Sequence, residues 1–185
     1  MMDRIFETER LILRRWKVSD AADLFEYAKD PSVGPAAGWP PHESIEDSIY
    51  VIQNVFTGDE VYAICLKTDG KPIGTIELKL NGRAELAHAD DECELGFWLG
   101  KPFWGQGIMP EASRELIRRA FEDLGMSKVW CGCYEGNTKS MRAQEKAGFK
   151  YQGRKENIDV PLLNEKRTEC ISLLTREDWS EMMAD

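Results

Sequence analysis

Residues 95–112 read LGFWLGKPFWGQGIMPEA: a stretch with strand character, a glycine-rich turn, then the opening of an amphipathic helix. A turn of this kind at a helix N-terminus aims unpaired backbone N–H groups and the positive end of the helix dipole at one point, which is how proteins hold phosphate groups. Gly105 and Gly107 let a ligand approach the backbone closely. No Gly-Lys-Ser/Thr follows, and Pro110 stands where a dinucleotide fingerprint has a glycine. Both the nucleoside-triphosphate and the nicotinamide readings are therefore disfavoured. Downstream, Ala112, Leu116, Ile117, Ala120, Phe121 and Leu124 recur at helical spacing. They predict a helix over 110–124, with Pro110 in first position and Gly125 as its stop.

Working outward, residues 10–16 carry apolar groups on both faces of a strand, as a covered sheet requires. A helix follows from Ser19 and Asp20, with Leu24, Phe25 and Ala28 inward, and Asp30-Pro31 stops it. Pro35, Pro40 and Pro41 make residues 33–41 a loop carrying an exposed Trp39. Ser44 and Asp47 then begin a helix striped by Ile45, Ile49, Ile52 and Phe56. The period next changes to two over 61–66, 73–80 and 93–99, with turns at Asp69-Gly70 and Asn81-Gly82. After the long helix come a strand at 128–134, a helix at 138–147, strands at 149–158 and 167–174, and a short helix capped by Thr175 and Asp178. The order β-α-α-β-β-β-α-β-α-β-β describes an α+β domain, and no linker or repeat divides residues 1–185.

The chain has 185 residues, 42% of them apolar and 31% charged, enough for a packed core without staples. Asp plus Glu exceeds Lys plus Arg by 33 to 24, a net charge of −9. Nucleic acid is a poor partner for that sign, and a cationic substrate a better one. No apolar run is long enough for a bilayer, and residues 1–9 are too polar for a signal peptide, so the expected address is the cytoplasm. Cys65, Cys93, Cys131, Cys133 and Cys170 read as small core residues, and two histidines without ligand spacing predict no metal site.

Four ordered blocks resemble the GNAT superfamily of acetyl-CoA-dependent N-acetyltransferases, within it the ribosomal-protein N-terminal acetyltransferase (RimJ/RimL-like) type. They are TERLILRRWKVSDAADLFEYAKDPSV (8–33), AAGWPPH (36–42), ECELGFWL (92–99) with WGQGIMPEA (104–112), and NTKSMRAQEKAGF (137–149). The resemblance implies a mixed, mainly antiparallel sheet that splays after its fourth strand, with helices on its flanks. It implies that the pantetheine arm of acetyl-CoA enters the splay beside Phe97, Trp98 and Leu99. The pyrophosphate would lie on Trp104, Gly105, Gln106, Gly107, Ile108 and Met109, although Met109 replaces a residue often small and Pro110 has no N–H to donate. Arg114 is the expected phosphate neighbour, Asn137 a contact of the arm, and Trp39 with His42 part of the acceptor pocket. Many relatives place a tyrosine acid where this chain has Gln144. Ser140 is the substitute as proton donor to the departing thiolate, with Tyr134 or water behind it, unless Ser140 only supports its helix start.

An amine attacks a thioester only when neutral. At pH 7 a lysine side chain costs about 4.6 kcal/mol to deprotonate and an α-amine about 1 kcal/mol, so a terminal amine needs only a modest base. Glu94, a carboxylate in a mostly apolar run, is the candidate, with Glu77 and Glu92 as substitutes; its other reading is a salt-bridged strand residue facing solvent. The expected reaction is direct acetyl transfer to a primary amine, of a peptide N-terminus or of a small molecule, by a monomer or homodimer. A module that binds acetyl-CoA without turnover is the non-enzymatic alternative.

Overall fold

The computed structural model describes residues 4–80 and 82–184. Eight strands pair into one sheet: β1 (Phe6–Glu7), β2 (Leu11–Arg14), β3 (Val61–Leu66), β4 (Pro72–Lys79), β5 (Glu92–Leu99), β6 (Lys128–Tyr134), β7 (Lys150–Val160) and β8 (Glu165–Thr175). Their order is β1-β2-β3-β4-β5-β6-β8-β7, antiparallel throughout except for the parallel pair β5/β6. The expected splay follows the fifth strand in the chain, because the two-residue β1 precedes the strands that alternation reveals.

Helices cover both faces. On one side α4 (Ile108–Arg118), α5 (Thr138–Lys146) and α6 (Arg176–Ala184) pack near the main core, in which Leu11, Leu13, Ile64, Leu95, Leu116, Ile117 and Phe121 are at most 1% exposed. On the other, α1 (Ala21–Ala28) and α3 (Ile45–Asn54) bury Ala21, Leu24, Ala28 and Ile52 against Trp16, Trp39 and Trp98. The α3 start is the expected box, with Ser44 Oγ accepting from the Asp47 N–H and Asp47 accepting from the Ser44 N–H. All five cysteines are buried and free.

Three expectations change. Residues 33–41 are not all loop: α2 (Gly34–Ala37) forms one turn, because Pro35 sits where a helix needs no N–H. Trp39 is partly buried and meets Trp98 edge-on, 5.5 Å between centroids, rather than standing exposed. The long helix begins at Ile108, so Pro110 is its third residue, still free of any hydrogen-bond demand, and it closes in a π-helical turn at Arg119–Asp123. Asn81 lies outside the described residues; with β4 ending at Lys79 and β5 starting at Glu92, the link is longer than a two-residue hairpin.

Candidate functional site

β5 and β6 are in register only at Glu92 with Lys128, Cys93 with Val129, and Glu94 with Trp130. Past Glu94 they separate, β5 running on to Leu99 and β6 to Tyr134. The Gly100 N–H donates to Ile73 O at 2.8 Å, so strand alternation turns the backbone groups of Gly96 and Trp98 toward β4 and those of Phe97 and Leu99 into the gap. Likewise the Glu135 N–H donates to Thr168 O, which leaves Gly132 and Tyr134 facing the gap. Some carbonyls there are capped: Trp104 Nε1 donates to Leu99 O at 2.7 Å and the Asn137 N–H to Tyr134 O at 3.0 Å. Phe97 thus presents an edge suited to pairing with an extended polar chain. Trp98, grouped with it from sequence, instead pairs backbone to β4 and turns its ring to Trp39.

The turn before α4 lies at one end of this gap. Gly105 and Gly107 take φ of 75° and 74°. A β-carbon at Gly105 would meet nothing within 4 Å, and one at Gly107 only Arg10 Nη2 at 3.6 Å. The Ile108 and Met109 N–H groups, in the first turn, have no carbonyl one turn back. Both side chains are buried in the core, so the bulk of Met109 stays out of the turn. Arg114 is exposed on the next turn. The cation fastened to the loop is Arg10, which donates to Gln106 O at 3.0 Å and pairs with Glu111 at 2.7 Å. Lys139 Nζ sits 3.8 Å over the Trp104 ring.

The registers put Glu77, Lys79, Glu94, Gly96 and Trp98 on the face covered by α1 and α3. Glu94 is buried but engaged: it accepts from Lys79 Nζ at 2.8 Å and from the Glu85 and Leu86 N–H groups at 2.8 and 3.0 Å. These bonds occupy the carboxylate, which latches the loop before β5. Glu92 is held by Lys128 and Trp130, each at 2.8 Å. Glu77 has no hydrogen bond or ion pair among the described residues, and its Oε1 lies 3.2 Å from where a β-carbon of Gly96 would be. Burial raises its pKa, more than Lys79 and Arg83 lower it. His42, packed against Trp39, has its Nδ1 2.8 Å from Ser48 Oγ, and burial holds the imidazole below its ordinary pKa against the pull of Asp47.

Ser140 and Gln144 occupy the opposite face, on α5. Gln144 Nε2 reaches Ser140 Oγ at 3.3 Å and Gly132 O at 3.5 Å. Asn137 caps α5, accepting from the Ser140 N–H at 3.2 Å, and its Nδ2 reaches Ala36 O at 3.4 Å. Tyr134, whose phenol burial keeps protonated, lies under Gly38 at the end of α2.

The model of the acetyltransferase (GNAT) domain matches residues 10–150. The chain belongs to the GNAT family. It is an N-acetyltransferase that draws its acetyl group from acetyl-CoA. This GNAT chain is 28% identical over 155 residues to "Uncharacterized N-acetyltransferase p20" of Bacillus licheniformis, covering 79% of this chain and 82% of that one. It is 36% identical over 86 residues, 46% and 44% of the two chains, to "Putative ribosomal N-acetyltransferase YdaF" of Bacillus subtilis. A GNAT-family acetyltransferase structure from Bacillus anthracis superposes with a TM-score of 0.81 at 20% identity, over 94% of this chain and 99% of that one, and so shares the fold.

The gap and loop fit such a donor: a strand edge at Phe97 for an amide-bearing arm, and an open turn with helix N–H groups for phosphates. Among the described residues, no group of three His, Cys, Asp or Glu could hold a metal ion, and no helix is long and apolar enough to cross a membrane. Sequence reasoning missed Arg10 and Glu111, whose partnership depends on segments distant in the chain. The Thr8 hydroxyl donating to Glu111 gives no local pattern either.

Proposed function

We propose that the enzyme acetylates the α-amine of a peptide or protein N-terminus, with Glu77 as the base. The observation that carries this is the partly buried Glu77 carboxylate over Gly96, without a partner among the described residues and set at the second position past the last β5/β6 pair. An α-amine needs only such a modest base, whereas a lysine side chain asks for far more. The net charge of −9 favours a cationic acceptor, and the relative named for ribosomal N-acetylation supports the same acceptor class.

Bound acetyl-CoA supplies the thioester. Phe97 orients the arm by backbone pairing, the 104–109 turn and Arg10 hold the phosphates, and Trp39, His42 and Trp98 wall the amine's approach. Glu77 takes the amine proton on one face; Ser140 gives a proton to the departing sulfur on the other. Acetylation of a small amine is the second reading, favoured by α2, which Asn137 and Arg167 tie down close to Tyr134. A panel of N-terminal peptides, polyamines, aminoglycosides and amino acids, read by thiol release and mass spectrometry, tests both. Acetylated peptide termini are the expected result; acetylated small amines with peptides untouched would refute the first reading. Stabilisation by acetyl-CoA without thiol release would point to a binding module.

A further inference from the structure

Gln144 is a buried polar side chain within α5, 2% exposed, beside the edge of β6. Its amide lies 3.5 Å from Gly132 O and 3.3 Å from Ser140 Oγ, with the Cys133 thiol completing the group. A peptide carbonyl only accepts, so the amide turns its NH2 toward Gly132. An NH2 only donates, so Ser140 Oγ accepts from it and the single Ser140 proton points elsewhere. Cys133 is a weak competitor for that proton, because a thiol sulfur is a poor acceptor and burial pushes its pKa up to about 11.

We infer that Gln144 is the positioning residue of the Ser140 hydroxyl, fixing it as a donor whose proton is free for the sulfur leaving the gap. The inference rests on the role given to Ser140 above. The N–C bond forms from the amine lone pair and the C–S bond breaks with its pair on sulfur. Sulfur takes the Ser140 proton, Ser140 regains one from water, and the proton lost by the amine passes through Glu77 to water. A hydrogen-bonding amide thus sets the direction of a hydroxyl that would otherwise rotate freely.

The test uses the full chain with Gln144→Met, which keeps the length without the N–H groups, Gln144→Glu, Ser140→Ala, and the Ser140→Ala/Gln144→Met pair. Acceptors are a peptide that the wild type acetylates and hydroxylamine, which is neutral at pH 7 and needs no base. In Gln144→Met, kcat should fall about tenfold, the worth of one hydrogen bond, with both acceptors and with the KM for acetyl-CoA unchanged. The double variant should be no slower than Ser140→Ala alone. Losses that multiply in the double variant, or a loss carried by the KM for acetyl-CoA, overturn the inference. If Gln144→Met does not fold, the same comparison with Gln144→Glu decides. A wild-type rate in Ser140→Ala overturns this inference and the role of Ser140 while leaving N-acetylation standing; an enzyme silent with every amine would instead sink the proposed function.

Discussion

The Glu77 carboxylate lies over Gly96, close enough that a β-carbon there would stand 3.2 Å from its Oε1 and 3.3 Å from its Cγ. The relationship gives the carboxylate its place beside the splay and leaves it without a fixed partner among the described residues. Glu77→Gln should lower kcat/KM at pH 7 on the order of a hundredfold, and by less at high pH, where the amine deprotonates itself. Because burial raises the Glu77 pKa, the wild-type rate should fall on acidification above the ordinary carboxylate range, as the base becomes protonated. A pH–rate profile lacking that limb would remove Glu77 from the chemistry.

Gly96→Ala tests the same contact by bulk. The added methyl meets Glu77 Cγ and Lys79 Cε, both at 3.3 Å, so the carboxylate must shift by a few tenths of an ångström. Turnover should fall while acetyl-CoA affinity, measured by calorimetry, stays near wild type.

Glu94→Gln should slow the enzyme equally at neutral and high pH, because its carboxylate holds Lys79 and the 85–86 loop rather than a substrate proton. Thermal or denaturant unfolding should show a loss of about 2 kcal/mol, below that of a fully buried pair because Lys79 keeps 26% exposure. A loss of rate confined to neutral pH would restore Glu94 as the base.

At the phosphate turn, Gly107→Glu should abolish measurable acetyl-CoA binding through bulk and like charge. Gly107→Ala separates strain from charge: with φ at 74° it should cost about 1–2 kcal/mol of stability yet retain affinity better than the glutamate. Equal affinity in both variants and wild type would move the phosphate site elsewhere.

Glu111 ties the turn between β1 and β2 to α4, accepting from Thr8, from the Arg10 N–H and from the Arg10 guanidinium. Burial raises its pKa, but these bonds together outweigh burial and hold it below the ordinary 4.5. A depressed carboxylate contributes stability that is fully present above the unfolded value and lost as pH falls through the folded one. The stability gap between wild type and Glu111→Gln should therefore narrow on acidification below 4.5; a constant gap in denaturant titrations would contradict the ion pair's role.

Periodicity made most of the sheet and helices readable. The 128–134 strand coincides with β6, and the Ser44–Asp47 box with the start of α3. α2 escaped because three prolines mask a turn in which only the first needs accommodation. At the site, the glycine turn was legible because its chemistry is local. The engagement of Glu94 was not, since an apolar run around a carboxylate does not reveal the loop N–H groups folded back onto it. Arg10 read as part of a strand, and its contact with Gln106 spans 96 positions of chain.

The fork between β5 and β6 also bears on how the molecule holds together. Among the described residues, three paired positions and the Ser127 N–H donating to Asp91 O just before them make up the backbone seam between the leaf β1–β5 and the leaf β6, β8 and β7. Glu94, in the last of those pairs, marks the crotch of the fork and staples a loop across it. An arm lying along Phe97 would lengthen that seam like a further strand, and the acetyl donor would then act as mortar between the leaves. A loaded enzyme should then melt later and more cooperatively than an empty one.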